Sequence, residues 1–168
     1  MYARPLINSL DFARNGRTIS GEVPFVELSR MQDMLDRPQG VLSYSVRGGV
    51  DEQGTHFLEL SAAGLCMLRC QRCLGGLDFP VQIDTRLLLR DRASLDVLDD
   101  RLAAGEDEEF DSILADAHMD LLDLLEEEII LGLPIAPKHE PGICRAAGSE
   151  NRHEGRHPFA ILANLKSN

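Results

Sequence analysis

Two cysteines at the spacing C-x-x-C are the residues of this chain whose chemistry is easiest to recognise. Cys70 and Cys73 are separated by Gln71 and Arg72, and the chain of 168 residues contains only four cysteines. Thiols at this spacing can bind one metal ion from a single tight turn, or they can form a redox couple. Because structural zinc is held by four protein ligands, the pair predicts two further ligands elsewhere in the chain.

A histidine and a cysteine in a loop rich in proline and glycine are the candidates for those two ligands. His139 and Cys144 are separated by four residues, among them Pro141 and Gly142. Two early thiols, a late imidazole and a late thiol complete a Cys3His set, which is a typical donor set of structural zinc. The candidate zinc ligands are therefore Cys70, Cys73, His139 and Cys144. For these residues to bind one ion, the late loop must fold back onto the early turn.

Two other interpretations of the thiol pair stay open. Cys70 and Cys73 could be reduced thiols in a metal-free protein interaction module, or the active dithiol of a thiol-based redox protein. Redox motifs of this spacing favour a helix N-terminus in a βαβ unit, whereas the flanks here are predicted as strands of a hairpin. Cys66 lies on a predicted strand, and we expect it to be a small buried apolar residue.

Size and composition bound the fold and the location. A chain of this length with 43% hydrophobic residues can bury one core, and we take residues 1–168 as a single domain. The sequence shows neither a membrane span nor a secretory signal, so we expect a cytoplasmic protein with no membrane contact. Cysteines in that compartment are more often free, metal-bound or redox-active than bridged. Few aromatic residues and no tryptophan argue against a base-stacking surface.

The net charge of -11 is concentrated in one stretch of the chain. Residues 91–128 contain 15 acidic residues and two arginines, a local charge of -13, whereas the rest of the chain carries +2. Runs of like charge are usually solvated, so we predict an acidic excursion at about 91–118 with little core of its own. One hypothesis is that this stretch mimics the negative charge of a nucleic acid and holds a basic partner.

The hydrophobic patterns predict an α+β fold, with an antiparallel sheet of about four or five strands and helices packed against it. A helix is predicted near 25–36. The predicted strands cover residues 18–23, 41–47, 56–61, 65–69 and 79–89. The last two of these strands flank the C-x-x-C motif, which places the thiol pair at the tip of a hairpin, as in a zinc knuckle.

The clearest helical pattern begins at Asp120, a possible N-cap, and stops at Gly132 and Pro134. It leads through extended residues 133–137 to the loop of the late ligands. We expect the triplet 126–128, three glutamates, to form a solvated face of this helix with at most one member turned inward.

The C-terminal part of the chain shows weaker patterns. Residues 145–157 are polar and predicted to be flexible. A short helix is predicted from Pro158 onwards, because Phe159, Leu162 and Leu165 form one apolar ridge.

Four arginines on or beside the predicted hairpin are candidates for contact with RNA or phosphate: Arg69, Arg72, Arg86 and Arg90. The alternative is that arginines neutralise the acidic stretch of the same molecule. The chain shows no Gly-rich phosphate loop, nucleophile elbow or H-E-x-x-H motif. We expect neither an enzyme nor a small-molecule substrate.

Taken together, the motifs resemble those of the YceD family, the large ribosomal RNA subunit accumulation proteins. The resemblance rests on the C-Q-R-C motif after a strand, on residues 128–134 followed by Pro137 and His139, on Cys144, and on residues 158–166. Their order and spacing agree from about residue 20 to the C-terminus.

The resemblance implies a bacterial, non-enzymatic factor in the synthesis, processing or stability of 23S ribosomal RNA and in assembly of the large ribosomal subunit. The partners that it implies are the 23S ribosomal RNA precursor, a ribosomal protein or a processing nuclease.

Overall fold

A computed structural model describes residues 4–105 and 109–144, and within them the predicted α+β class is confirmed. The strands are β1 (Leu6–Ile7), β2 (Thr18–Pro24), β3 (Leu35–Arg37), β4 (Val41–Val50), β5 (His56–Arg69), β6 (Gly76–Arg90), β7 (Asp111–Leu114) and β8 (Met119–Asp120). The helices are α1 (Ser9–Arg14), α2 (Arg92–Ala103) and α3 (Leu121–Gly132). None of them is long and apolar enough to cross a membrane. The predicted flexible segment 145–157 and the predicted helix after Pro158 lie outside the described residues.

One six-stranded sheet organises the fold. The strand order is β2-β4-β5-β6-β7, and β3 pairs with one end of β5. The strands are antiparallel except for β7, which runs parallel to β6. The sheet therefore has one strand more than the upper end of the predicted four or five. β1 and β8 form a separate two-stranded pair.

The two faces of the sheet differ in composition because side chains alternate along each strand. One face carries the buried residues Leu42, Val46 and Leu60, which belong to a core shared with α1 and α3. The other face carries mainly polar side chains, among them Ser43 and Ser45, and is mostly exposed or half-buried, although Phe57 is buried beneath Arg86. The helices thus cover only one side of the sheet.

The predicted helix at 25–36 is wrong, and its residues form two short 3-10 turns and a strand. The turns are Phe25–Glu27 and Ser29–Met31, followed by β3. Phe25, Leu28 and Met31 are buried at a strict spacing of three, which is the period of a 3-10 turn. The helix was predicted from Val26, Leu28, Met31, Met34 and Leu35, whose spacing over so few residues is close to the 3.6-residue period of an α-helix.

The predicted break between two strands at Gly64 is also absent, since β5 runs without interruption from His56 to Arg69. A Cβ atom placed at Gly64 would lie 2.8 Å from the carbonyl oxygen of Val41. This glycine therefore permits close approach of β4 rather than ending a strand.

The acidic excursion contains more ordered structure than the charge pattern predicted. Asp91 caps α2 by accepting a hydrogen bond from the backbone N–H of Ser94 at 2.8 Å. Leu98 of α2 is buried, and Ile113 of β7 packs against the core. The carboxylates of this stretch are thus presented by a helix and an edge strand.

The predicted helix that begins after Asp120 is confirmed as α3. Asp120 accepts hydrogen bonds from the backbone N–H groups of Leu122 and Asp123 at 2.9 and 3.2 Å. Arg4 donates to the Asp120 carboxylate at 2.6 Å, which ties the start of the chain to the start of the helix. The helix ends at Gly132, as the sequence predicted.

Glu126 corrects the prediction of a solvated glutamate face. It is fully buried, and its Oε1 accepts hydrogen bonds from the backbone N–H groups of Arg30 and Met31 at 2.5 and 2.9 Å. Its Oε2 has no hydrogen-bond partner among the described residues. Glu127 is exposed and Glu128 is half-buried, so only one member of the triplet is fully buried. Glu126 fixes α3 to the second 3-10 turn across 95 residues of sequence.

We expect Glu126→Ala to destabilise the fold by about 2–4 kcal/mol, because it leaves two buried backbone donors without an acceptor. Glu126→Gln keeps an acceptor oxygen and should cost less than half as much. Urea unfolding monitored by circular dichroism measures both changes. Glu127→Ala, at the exposed neighbour, is the matched control and should change stability by less than about 0.5 kcal/mol. Equal effects of the two alanine substitutions would contradict the role of Glu126.

Candidate metal centre

The C-x-x-C motif forms the tip of the hairpin between β5 and β6. The last strand pair joins Arg69 to Gly76, and beyond it the backbone N–H of Cys70 donates to the carbonyl oxygen of Gly75 at 2.9 Å. Leu74 closes the turn with a left-handed φ of 59°, a conformation uncommon in residues other than glycine. The tight turn brings both thiols to the same end of the sheet.

The late loop reaches this tip from the end of α3. Leu133 has an extended backbone, with φ -75° and ψ 145°, so the chain leaves the helix sharply. The backbone N–H of Gln71 then donates to the carbonyl oxygen of Pro137 at 2.8 Å, which fastens the loop to the hairpin turn. His139 and Cys144 follow this anchor point.

The structure brings together all four residues that the sequence singled out as metal ligands. The ligand atoms of Cys70, Cys73, His139 and Cys144 lie within 4.8 Å of one another. The Sγ atoms of Cys70 and Cys144 are 3.7 Å apart. Nδ1 of His139 lies 3.4 Å from Sγ of Cys73 and 3.5 Å from Sγ of Cys144. These residues form a cluster that could hold a metal ion.

The distances fit a tetrahedral ion of the size of zinc. Zinc binds sulfur at about 2.3 Å and histidine nitrogen at about 2.0–2.1 Å, so tetrahedral angles place two sulfurs about 3.8 Å apart and a sulfur and nitrogen about 3.6 Å apart. The observed separations of 3.7, 3.4 and 3.5 Å are close to these values. Little movement would be needed for the four side chains to coordinate one ion.

Contacts around the ligands orient the histidine. Nε2 of His139 lies 2.9 Å from the carbonyl oxygen of Gly76, so a proton on Nε2 makes a hydrogen bond and leaves Nδ1 as the donor atom for a metal. This arrangement, in which the second ring nitrogen donates to a carbonyl, is typical of metal-binding histidines.

Arg72 joins the two halves of the cluster. Its Nε donates to Sγ of Cys144 at 3.0 Å, and its second guanidinium nitrogen donates to the carbonyl oxygens of His139 and Glu140 at 2.9 and 3.3 Å. The sequence offered Arg72 as a phosphate contact; its guanidinium bonds to the late loop while the residue remains exposed. One positive charge beside three thiols also offsets negative charge that would build up when they ionise.

The electrostatics of the cluster favour ionised thiols at two of its three positions. Burial raises the pKa of Cys70, but hydrogen bonds from backbone groups of Cys73, His139 and Arg72 outweigh it and lower the pKa to about 5. Burial likewise raises the pKa of Cys144, whereas hydrogen bonds from Arg72 and His139 lower it further than burial raises it. Metal ligands must be thiolates, so both shifts favour metal binding.

Cys73 and His139 shift in the opposite direction. A backbone hydrogen bond from Gly75 lowers the pKa of Cys73, but burial and the neighbouring thiols of Cys70 and Cys144 raise it overall. The side chain of Cys144, followed by that of Cys70, raises the pKa of His139. Without metal, the imidazole can therefore hold a proton shared with the thiols, and a binding ion would displace it.

The other candidate arginines have different environments. Arg69 is exposed at the end of β5. Arg86 forms an ion pair with Glu59 and lies 4.3 Å from the ring centroid of Phe57. Arg90 donates to the hydroxyl of Ser112 at 3.1 Å. Arg86 and Arg90 are thus used in contacts between strands.

The remaining cysteine lies apart from the cluster. Cys66 is buried in the core, as the sequence predicted, and burial raises the pKa of its thiol. Sequence reasoning missed the bridging role of Arg72 and the buried role of Glu126. The only available signal for Arg72 was its position inside the C-x-x-C motif.

The fold and the cluster together define a class of protein, an α+β domain whose longest hairpin carries a candidate Cys3His knuckle at its tip. Residues 58–166 match the family model described as "Large ribosomal RNA subunit accumulation protein YceD". The match covers more than half of the chain, and the chain belongs to the YceD family.

A curated relative supports the same family. The Large ribosomal RNA subunit accumulation protein YceD of Haemophilus influenzae is 30% identical, and the similarity covers 59% of this chain and 59% of the relative. The chain thus spans about 59% of the length of this relative. No solved structure matches the chain.

We expect Arg72→Ala to weaken metal binding by about 10- to 100-fold, since residues that orient metal ligands typically contribute by that amount. Competition with a chromophoric chelator at neutral pH measures the affinity. Arg69→Ala removes a charge of the same sign three residues away and should leave the affinity unchanged. Equal losses in the two variants would show that only general charge matters, and no loss in Arg72→Ala would contradict the bridging role.

Proposed function

We propose that this protein is a non-catalytic factor that promotes accumulation of 23S ribosomal RNA and thereby assembly of the large ribosomal subunit. Membership of the YceD family supports this proposal, because the name of the matching family and of the Haemophilus relative refers to accumulation of the large ribosomal RNA subunit. The cellular site of action that we propose is the cytoplasm, where the precursor of this RNA is made.

We further propose that zinc is the metal of the cluster and that its role is structural. Four protein ligands leave no open position for a substrate or a reactive water, which distinguishes structural from catalytic zinc sites. The loop that carries the late ligands has little other support, since Ile135 and Ile143 are both exposed. Zinc would supply the free energy that holds this loop against the hairpin.

The negative charge of residues 91–128 supports a basic protein as the direct partner, either a ribosomal protein or a processing nuclease. The stretch 91–128 carries a local charge of -13, and α2 and β7 present part of it at the surface. Among the four candidate arginines, Arg72, Arg86 and Arg90 make contacts within the protein. Direct contact of this surface with RNA would bring like charges together, whereas a basic protein is attracted.

A redox role for Cys70 and Cys73 is the second candidate, and the low pKa of Cys70 is the observation in its favour. A thiolate is required for both nucleophilic attack and metal binding, so that pKa alone does not choose between them. Cys70 is fully buried, and the pair lies in a hairpin turn instead of at a helix N-terminus. Both features favour the metal over the dithiol.

We expect the purified chain to carry one zinc ion, detected by native mass spectrometry as a mass increase lost with a chelator. Cys70→Ser should abolish the increase, because it removes one of four ligands. Cys66→Ala changes the cysteine outside the cluster and should retain the ion. A metal-free chain with a measurable Cys70–Cys73 disulfide potential would favour the redox alternative instead.

Loss of this protein should lower the ratio of large-subunit to small-subunit ribosomal RNA in its host. Supplying the wild-type chain or Cys66→Ala should restore the ratio, and Cys144→Ser should restore it only in part if the metal centre supports the function. Quantitative RNA analysis of total ribosomal RNA measures the ratio, and immunoblotting confirms equal protein levels. An unchanged ratio in the deletion strain would overturn the proposed function.

A further inference from the structure

An apolar groove lies between α2 and α3, outside the metal centre. Its cavity has a volume of about 450 Å³, and the edge strand β7 forms its floor. Apolar side chains line both walls, about one helical turn apart on α2 and two turns apart on α3. On α2 these are Leu95, Leu98 and Leu102, and on α3 they are Leu124 and Leu131. Leu131 is 75% exposed and Leu102 is 45% exposed, whereas Leu98 and Leu124 are buried, so each wall presents one exposed leucine to solvent above a buried apolar base.

The rim of this groove is acidic. Asp99 of α2, Asp111 of β7, and Glu127 and Glu128 of α3 border the same cavity. Burial, together with the charges of Asp111 and Glu127, raises the pKa of Glu128, so negative charge is crowded there. No basic residue lines this groove in the described part of the chain. A cation placed at the rim would relieve the repulsion among these carboxylates.

We propose that the acidic-rimmed groove binds an amphipathic helix that is rich in lysine and arginine and belongs to a partner protein. The apolar face of such a helix would cover the exposed leucines, with basic residues on its flanks meeting the rim. Helix-in-groove recognition has this pattern, in which anchors at successive turns enter an apolar channel. Basic amphipathic segments are common in proteins that bind RNA, so this site deepens the proposed function, on which it rests.

A groove that binds a basic amphipathic helix accounts for both the acidic rim and the exposed leucines. A surface that only mimics RNA accounts for the acidic rim alone. A simple mimic of RNA requires carboxylates but no exposed leucines. A nucleic acid is excluded as the occupant, since its phosphates would face four carboxylates in a site that lacks basic residues among the described positions. The acidic rim and the exposed leucines together favour a ligand that has an apolar face flanked by basic residues.

Fluorescence anisotropy with a synthetic helix of leucine and lysine, about four turns long, tests the proposal on the full chain. A peptide of the same composition in scrambled order has the same charge but no apolar stripe. We expect the amphipathic peptide to bind at least about tenfold more tightly than the scrambled one, with an affinity that falls as salt rises. Equal binding of the two peptides would reduce the site to non-specific attraction and overturn the proposal.

Paired variants locate the binding on the molecule. Leu131→Ser should weaken binding of the amphipathic peptide by about tenfold, whereas Leu65→Ser, at an exposed leucine of β5, should not change it. Glu127→Lys should weaken binding more than Glu22→Lys, which makes the same charge change on β2. Equal effects within either pair would place the binding elsewhere and overturn the proposal.

The chain's own C-terminal residues are the competing occupant, because Phe159, Leu162, Leu165 and Lys166 also combine apolar and basic character. A synthetic peptide of residues 156–168 that displaced the lysine peptide from the wild-type groove, with no effect on Leu131→Ser, would replace the partner helix by this segment. If neither peptide binds to the groove but deletion of the gene still lowers the ribosomal RNA ratio, the proposed function is retained and the proposal of a helix-binding groove is overturned.

Discussion

The candidate metal centre depends on one set of polar contacts, which docks residues 137–144 against the hairpin tip at residues 70–76. Hydrophobic burial cannot hold this loop, because Ile135 and Ile143 are exposed. The loop is instead held by the hydrogen bond from Gln71 to Pro137, by the contacts of Arg72 and by the cluster of four ligand atoms. Polar contacts at a surface contribute little free energy each, since water competes for the same groups. A metal ion bound to all four ligands would contribute far more than these contacts.

The rest of the fold sets the direction from which the two halves of the site meet. β5 and β6 pair over 13 positions, from Phe57–Leu88 to Arg69–Gly76, so the thiol pair is fixed relative to the whole sheet. α3 is fixed independently by its apolar face and by Glu126, whose carboxylate accepts from the second 3-10 turn. The hairpin positions Cys70 and Cys73, and α3 leads to His139 and Cys144; each of these elements is fixed to the core independently. Only the short loop between Leu133 and Cys144 must therefore adjust for the two pairs to meet.

Local patterns in the sequence predicted the parts of the site that local interactions determine. The alternating strands around the C-x-x-C motif and the capped, leucine-rich α3 were evident, and so were the four residues of the cluster, because the two cysteines of the motif required partners elsewhere in the chain. The 3-10 turns and the buried Glu126 could not be predicted in this way. Phe25, Leu28 and Met31 fit periods of 3 and 3.6 almost equally over so short a stretch. Glu126 looks like a surface residue until Arg30 and Met31 approach it from a distant part of the chain.

The acidic groove and the metal centre share α3 but depend on different parts of it. Leu124 and Leu131 lie on the wall of the groove, and Ile129 and Glu126, on the same helix, are buried in the core. This burial fixes α3 almost to its last turn without any contribution from the loop that follows. The candidate metal cluster is carried by the hairpin tip and by the loop after α3, whereas the groove wall belongs to the helix itself. None of the four cluster residues lines the groove, so the two sites can be altered independently.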